Sequence, residues 1–216
     1  MIKTEHKALL TQGLIELGLS PAENILEKMM RLIELFMYWN KKSNLSAIRD
    51  EKGIIIKHIL DSLSVIPVLK RYELWNTRLK AVDLGSGGGF PGAPLLIAEP
   101  DMPLDFAEVN KKKICFLNEL ILNLPLQGKQ VIDSSAGKVN PEYQLLFTRA
   151  FGSIKQIVKE ARKYITNGRI IAYKGTLLKT RDEIAELSAD IKQKTIIEEI
   201  KTPFLSDERH LVMINI

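Results

Sequence analysis

At 216 residues, 45% hydrophobic and 26% charged, the chain has the make-up of a soluble globular protein with a sizeable core, and a disordered chain is excluded. Its single cysteine, Cys115, rules out an internal disulfide and a cysteine-built zinc site. Lys plus Arg outnumber Asp plus Glu by 31 to 26, and the net charge of +5 suits a polyanionic partner without demanding one.

The stretch from Met1 to Lys7 has no signal-peptide character, and no run approaches the roughly 18 apolar residues that span a bilayer. A cytoplasmic protein without a membrane partner is expected. Ser20-Pro21-Ala22-Glu23 reads as a helix start, with Ser20 as cap, Pro21 in the first helical position and Glu23 completing a capping box. Ile25, Met29, Leu32, Ile33, Phe36 and Met37 then recur at helical spacing, until Asn40 to Asn44 ends the helix in a polar turn. A second helix is expected over Glu51 to Leu69, with Ile55, Ile59, Leu63 and Ile66 inward and Pro67 bending or ending it.

Near Tyr72 to Lys80 the pattern changes to alternating strands and helices. Strands are expected at 79–84, 104–109, 130–133, 144–149 and 169–173. Helices are expected at 93–98, 112–124, 153–165 and 181–192, the third with Ile157, Val158, Ala161 and Tyr164 inward. Cys115, within Lys113-Ile114-Cys115-Phe116-Leu117, reads as an inert buried thiol on a packed helix face. Thr195 to Ile200 and His210 to Ile216 read as a closing hairpin. The alternation predicts an α/β fold: a mostly parallel, doubly wound sheet with an antiparallel C-terminal edge and a helical cap in front.

The sharpest motif is Asp83-Leu84-Gly85-Ser86-Gly87-Gly88-Gly89-Phe90-Pro91-Gly92, at the end of the first strand and opening a helix. Glycine belongs where backbone turns tightly and a ligand approaches too closely for a Cβ, and the helix N–H groups then receive its polar atoms. Asp83 with Gly85, Gly87 and Gly89 resembles the S-adenosylmethionine loop of Rossmann-like (class I) methyltransferases, in which the acid orients the turn and the ligand's methionine end. The dinucleotide pattern is a rival, formally met by Gly87 to Gly92. Against it, the register from Gly85 puts Phe90 in the third glycine's place, and Pro91 lies where an N–H should face a pyrophosphate. Glu108 ends the second strand about 20 residues on, where a carboxylate can accept from both ribose hydroxyls. Lys111-Lys112-Lys113 reads as a solvated helix start. No nucleophile–base pair appears, and His6, His58 and His210 lack metal-ligand spacing, so no metal is expected. An aromatic nitrogen as acceptor needs no base, because its lone pair attacks the methyl group directly.

These motifs together resemble the bacterial small-subunit rRNA guanine-N-7 methyltransferases, the GidB or RsmG family, from about Phe36 to the end of the chain. The likeness is carried by Asn44-Leu45-Ser46-Ala47-Ile48, Lys57 to Leu63, the loop with its Phe90-Pro91-Gly92 ending, and Glu108 to Lys113 with Phe116-Leu117. Arg149-Ala150-Phe151, Lys174-Gly175 and Arg209-His210-Leu211-Val212 complete it. The resemblance implies S-adenosylmethionine as cofactor, 16S rRNA or the small ribosomal subunit as partner, and methyl transfer to guanine N-7. It divides the chain into a helical subdomain, residues 1–72, and a Rossmann-like cofactor-binding domain, residues 73–216.

By resemblance, Asp83, Gly85, Gly87, Gly89, Phe90, Glu108, Ser135, Ala136 and Arg149 border the cofactor. Arg149 and Lys174 serve catalysis, and His58, Asp61, Lys174 and Arg209 face RNA. His58 and Asp61, one helical turn apart, can interact with each other, as a substrate contact or as a structural pair holding the cap to the sheet. For Arg149 the plain alternative is a strand-end salt bridge. The chain departs from the family after the third strand. Where an arginine and then a glutamate usually cover the adenine, it reads Asp133-Ser134-Ser135-Ala136-Gly137-Lys138. That departure keeps a second reading open, an RNA-binding ribosome-assembly factor with weak or no transfer. A third is a methyltransferase acting on a small molecule or protein. A monomer is expected.

Overall fold

A computed structural model describes residues 4–126, 128–136 and 142–216. The N-terminal helices are α1 (Thr4–Glu16) and α2 (Glu23–Ser43). After them come α3 (Glu51–Ile54), a π-helical turn (Ile55–Leu60), α4 (Asp61–Leu63) and α5 (Ile66–Arg71). The alternating part runs β1 (Ala81–Leu84), α6 (Gly92–Ala98), β2 (Leu104–Glu108), α7 (Lys111–Asn123), β3 (Val131–Asp133), β4 (Leu145–Arg149), α8 (Ile154–Ala161) and β5 (Arg169–Lys174). It closes with α9 (Leu177–Ala185), α10 (Ala189–Gln193), β6 (Thr195–Glu199) and β7 (His210–Asn215).

The strands form one sheet in the order β3-β2-β1-β4-β5-β7-β6. The first five pair in parallel, and β7 runs antiparallel to both β5 and β6. Because helices cover both faces, β1 and β2 are buried at every position, the carboxylates Asp83, Asp105 and Glu108 included. On one face Phe36, Met29, Ile59 and Leu63 of the N-terminal helices share a core with Phe106, Phe116 and Phe147. On the other, Ile154, Ile157, Val158, Ala161 and Tyr164 pack against Val82, Leu146 and Ile170.

Local chemistry explains where the elements differ from the expected ones. Ser20 does not cap α2; the helix starts at Glu23 after an extended Ala22 (ψ 144°), with no side-chain cap. The helix expected over 51–69 is four pieces. Asp50 caps its start through Gly53 N at 2.7 Å, a wide π turn follows, and Pro67 occupies the first turn of α5 rather than an interior bend. The helix expected over 181–192 begins earlier and is cut at 186–188, where Leu187 turns into the core and Ser188 precedes α10. Cys115 is exposed, not packed; the inward stripe of α7 is Phe116, Leu117 and Leu120. The capping residue Ser153 receives Gln156 N and opens α8 as a full capping box.

Candidate active site

The glycine loop leaves β1 under tight side-chain control. Ser86 Oγ donates to Asp83 O at 2.6 Å and accepts from Ala107 N at 3.1 Å, tying the loop to β2. Asp83 is wholly buried and acts from below: its Oδ2 accepts Gly92 N at 2.9 Å and fixes the start of α6, while Oδ1 has no partner among the described residues. Burial pushes its pKa up to about 7.

Gly85, Gly87 and Gly89 all have positive φ (70°, 55° and 80°), but their bare Cα atoms face different ways. A Cβ on Gly85 would lie 2.5 Å from the Phe151 ring, and one on Gly89 would lie 2.9 Å from Leu120 on α7. At Gly87 it would meet nothing nearer than Gly85 O at 3.7 Å, so this glycine alone of the three faces open space. Gly87 N donates to Glu108 Oε2 at 2.9 Å. Glu108 Oε1 accepts Val109 N and Asn110 N at 2.8 and 3.0 Å. Glu108 thus joins the loop to the start of α7 and keeps 6% of its surface exposed beside Gly87.

The turn after β3 sits beside this pair, with Ser134 N donating to Glu108 O at 3.0 Å. Asp133 folds the turn by accepting Ser135 N and Oγ at 3.0 and 2.6 Å. Lys111, on the face expected to be merely solvated, binds Asp133, and that bond holds the Asp133 carboxyl down at about 2. Ser135 and Ala136 are exposed there. Gly137 and Lys138 of the same stretch lie outside the described residues.

Arg149, at the end of β4, is the hub of the opposite side. Its Nη1 donates to Lys57 O at 3.0 Å, in the π turn, and to Asp61 Oδ2 at 2.9 Å; its Nη2 reaches His58 Nδ1 at 3.0 Å. Guanidinium only donates, so His58 Nδ1 must accept, and the imidazole proton sits on Nε2, 2.9 Å from Ser46 Oγ. Burial, then the Arg149 charge, pulls His58 down to about 3, so it is neutral near pH 7. Its ring stacks on Phe90 with centroids 4.6 Å apart, and Arg149 lies 5.5 Å from the same ring. Asp61 Oδ1 accepts Arg209 Nε at 2.9 Å and Thr202 Oγ1 at 3.2 Å. His58 and Asp61 therefore meet through Arg149 rather than through each other.

A cavity of about 880 Å³ opens beyond this hub, between the π turn, the ends of β4 and β5, and α9. Asp61, Arg149, Lys174 and Arg209 line it, with Phe151 and Glu183. Lys174 Nζ pairs with Glu183 Oε2 at 2.6 Å. His58 and Phe90 do not line it but form the stack behind Arg149. The expected residues thus fall into a backbone cradle around Gly87 and Glu108 and a charged cavity around Arg149. Phe151, Glu183 and Thr202 were missed as site residues. Phe151 carries no signal beyond its place in the Arg149-Ala150-Phe151 motif, Glu183 meets Lys174 only through the fold of α9 against β5, and Thr202 lies 141 residues from Asp61.

A family described as GidB, rRNA small subunit methyltransferase G, matches residues 25–212. The chain is 36% identical to the ribosomal RNA small subunit methyltransferase G of Chromobacterium violaceum over 97% of each chain. It is 34% identical to that of Laribacter hongkongensis over 100% of this chain and 99% of the relative. Among solved structures it is similar in fold to magnesium protoporphyrin IX methyltransferase from Synechocystis, which holds bound S-adenosylmethionine (TM-score 0.56, 12% identity, 85% of this chain and 96% of that one). A methyltransferase from Pyrococcus furiosus is likewise similar (TM-score 0.55, 17% identity, 88% and 98%).

Proposed function

The chain belongs to the GidB family of small-subunit rRNA methyltransferases, and from that membership we propose that it methylates N-7 of a guanine in 16S rRNA, using S-adenosylmethionine. The observation that carries the residue-level reading is the open face at Gly87 beside Glu108. A Cβ there would fill the space that an adenosine-class ligand requires, and the cradle fits such a ligand. Glu108 Oε2 accepts only one N–H and retains a lone pair for a ribose hydroxyl. The turn at Ser135 and Ala136 stands on the adenine side, where backbone groups substitute for the family's charged pair. Asp83, Gly85, Gly89 and Phe90 hold the loop's shape from behind. When bound, S-adenosylmethionine supplies an electrophilic methyl group on sulfonium sulfur.

Guanine N-7 carries its own lone pair, so its methylation would release no proton for the chain to take up. That chemistry needs no general base, and His58, neutral and held between Arg149 and Ser46, is not free to act as one. Arg149, fixed by three acceptors, presents a planar cation at the cavity wall, and Lys57 and Arg209 add positive charge around it for phosphate. The alternative of an assembly factor without transfer is not favoured, since the family and the relatives matched over nearly the whole chain are described as methyltransferases. No helix among the described residues is long and apolar enough to cross a membrane. The cradle and cavity residues named above come from one chain, which supports action as a monomer, and the rRNA substrate supports a cytoplasmic location.

The test is transfer of labelled methyl from S-adenosylmethionine to 30S subunits of a host lacking the gene, followed by borohydride–aniline cleavage. One new cleavage site in 16S rRNA is expected. Unlabelled subunits, or label without a new cleavage site, would overturn the N-7 reading.

A further inference from the structure

In the cavity that Arg149 lines, Lys174 and Glu183 form one wall. β4 and β5 lie one and two places from β1, so the end of β5, which carries Lys174, is about 10 Å from the end of β1, where the glycine loop starts. Lys174 Nζ donates to Gly152 O at 3.0 Å and lies 2.6 Å from Glu183 Oε2. An ammonium has three N–H groups, so one is left over. Glu183 Oε2 also accepts Ile154 N at 2.9 Å, while Oε1 has no partner among the described residues. Both side chains line the cavity, with 12% and 13% of their surface exposed. The wall therefore offers one hydrogen-bond donor next to one acceptor, both held in place by backbone groups.

That pair is the complement of one edge of guanine, where the O6 acceptor adjoins the N1–H donor. N-7 belongs to a different edge and stays free to face the methyl group. Adenine carries the reverse order, an amine donor beside a bare N1, and would leave both wall groups facing their own kind. Resting on the rRNA-guanine reading, we propose that this wall selects the target base, with Lys174 donating to O6 and Glu183 Oε1 accepting N1–H. Glu183 is thereby a specificity-determining residue of the transfer. Burying an unmatched polar pair rejects the wrong base more strongly than a lost apolar contact does. As N-7 takes the methyl group the purine becomes cationic, and the Glu183 carboxylate on N1–H stabilises that developing charge.

The experiment is saturation-transfer NMR on the full chain with four nucleoside 5′-monophosphates: those of guanosine, inosine, 1-methylguanosine and adenosine. All four carry the same phosphate, so attraction to the basic mouth is common to them. Guanosine and inosine monophosphates, which keep O6 and N1–H, are expected to show ring-proton saturation; the other two are not. Glu183→Gln places an amide opposite Lys174 and should erase the discrimination. It should also lower kcat/KM on 30S subunits by about 10- to 100-fold, with unchanged calorimetric affinity for S-adenosylmethionine. Equal saturation from adenosine or 1-methylguanosine monophosphate, none from guanosine monophosphate, or wild-type transfer by E183Q would overturn the proposal. Should E183Q fail to fold, the nucleotide series on the unaltered chain decides alone. Methylated 30S subunits together with undiscriminated nucleotides would refute the wall and leave the family reading standing.

Discussion

The two halves of the site are made of different material. The cradle around Gly87 is backbone: positive-φ turns, N–H groups and one carboxylate that binds three of them. The cavity around Arg149 is side chain, assembled from the π turn, β4, the 202–209 segment and α9. A backbone site tolerates no added atoms but depends little on distant charges. A side-chain site tolerates added volume better and fails when one charge loses its partner. Substitutions should therefore separate the halves.

The largest effect is expected from Gly87→Val. A β-branched side chain at φ 55° is strained and projects into the open face, so calorimetric heat on adding S-adenosylmethionine should vanish. Retained heat would mean the cofactor lies elsewhere. Asp61→Ala strikes the other half by leaving Arg149 and Arg209 without their shared carboxylate. Stability in urea should fall by about 3 kcal/mol while the cofactor still binds. A loss below about 1 kcal/mol would show that the arginines find other partners.

A smaller effect, in pH, also divides the halves. His58 is held near 3 against an ordinary 6.5, so acidification below 6.5 weakens the fold as the unfolded chain takes up the proton. Asp83 is held near 7 against 3.8, so over the same range the folded chain keeps a proton that the unfolded chain releases, and acidification strengthens the fold. The two slopes oppose each other between about pH 4 and 6.5. Asp83→Asn should expose the first, a loss of about 1.4 kcal/mol per pH unit on acidification, and His58→Gln the second, a gain of similar size. Parallel urea profiles in the two variants would contradict both assignments. The smallest effect is expected from Lys57→Ala at the cavity mouth. It should reduce the salt dependence of 30S binding by roughly one phosphate contact, a slope change of about 0.7 to 0.9, and an unchanged slope would remove Lys57 from the RNA surface.

The same division decides what could be read without coordinates. The cradle lies in one run, Asp83 to Gly92, with Glu108 at the next strand end, and glycines at fixed offsets carry a backbone shape directly. Alternating strands and helices likewise gave the parallel sheet and its closing hairpin. The cavity has no such run. Residues 57–61, 149, 174, 183, 202 and 209 meet only because the sheet order brings β4, β5 and β7 side by side. Glu183 sits in the last turn of α9 and looks like any surface glutamate until Lys174 is seen against it. The π turn was equally hidden, because Ile55 and Ile59 fit an α-helical stripe, and a single wide turn at Ile55–Leu60 leaves that spacing almost unchanged.

The strand order also has a consequence for synthesis. β6 pairs only with β7, and β7 lies between it and β5, so β6 is made before the strand that attaches it to the sheet. A nascent chain halted in the loop after residue 200 would carry β6 with neither backbone edge satisfied. Arg209 would also be missing from the Asp61 cluster, so the cavity and the sheet are completed by the same late stretch of chain.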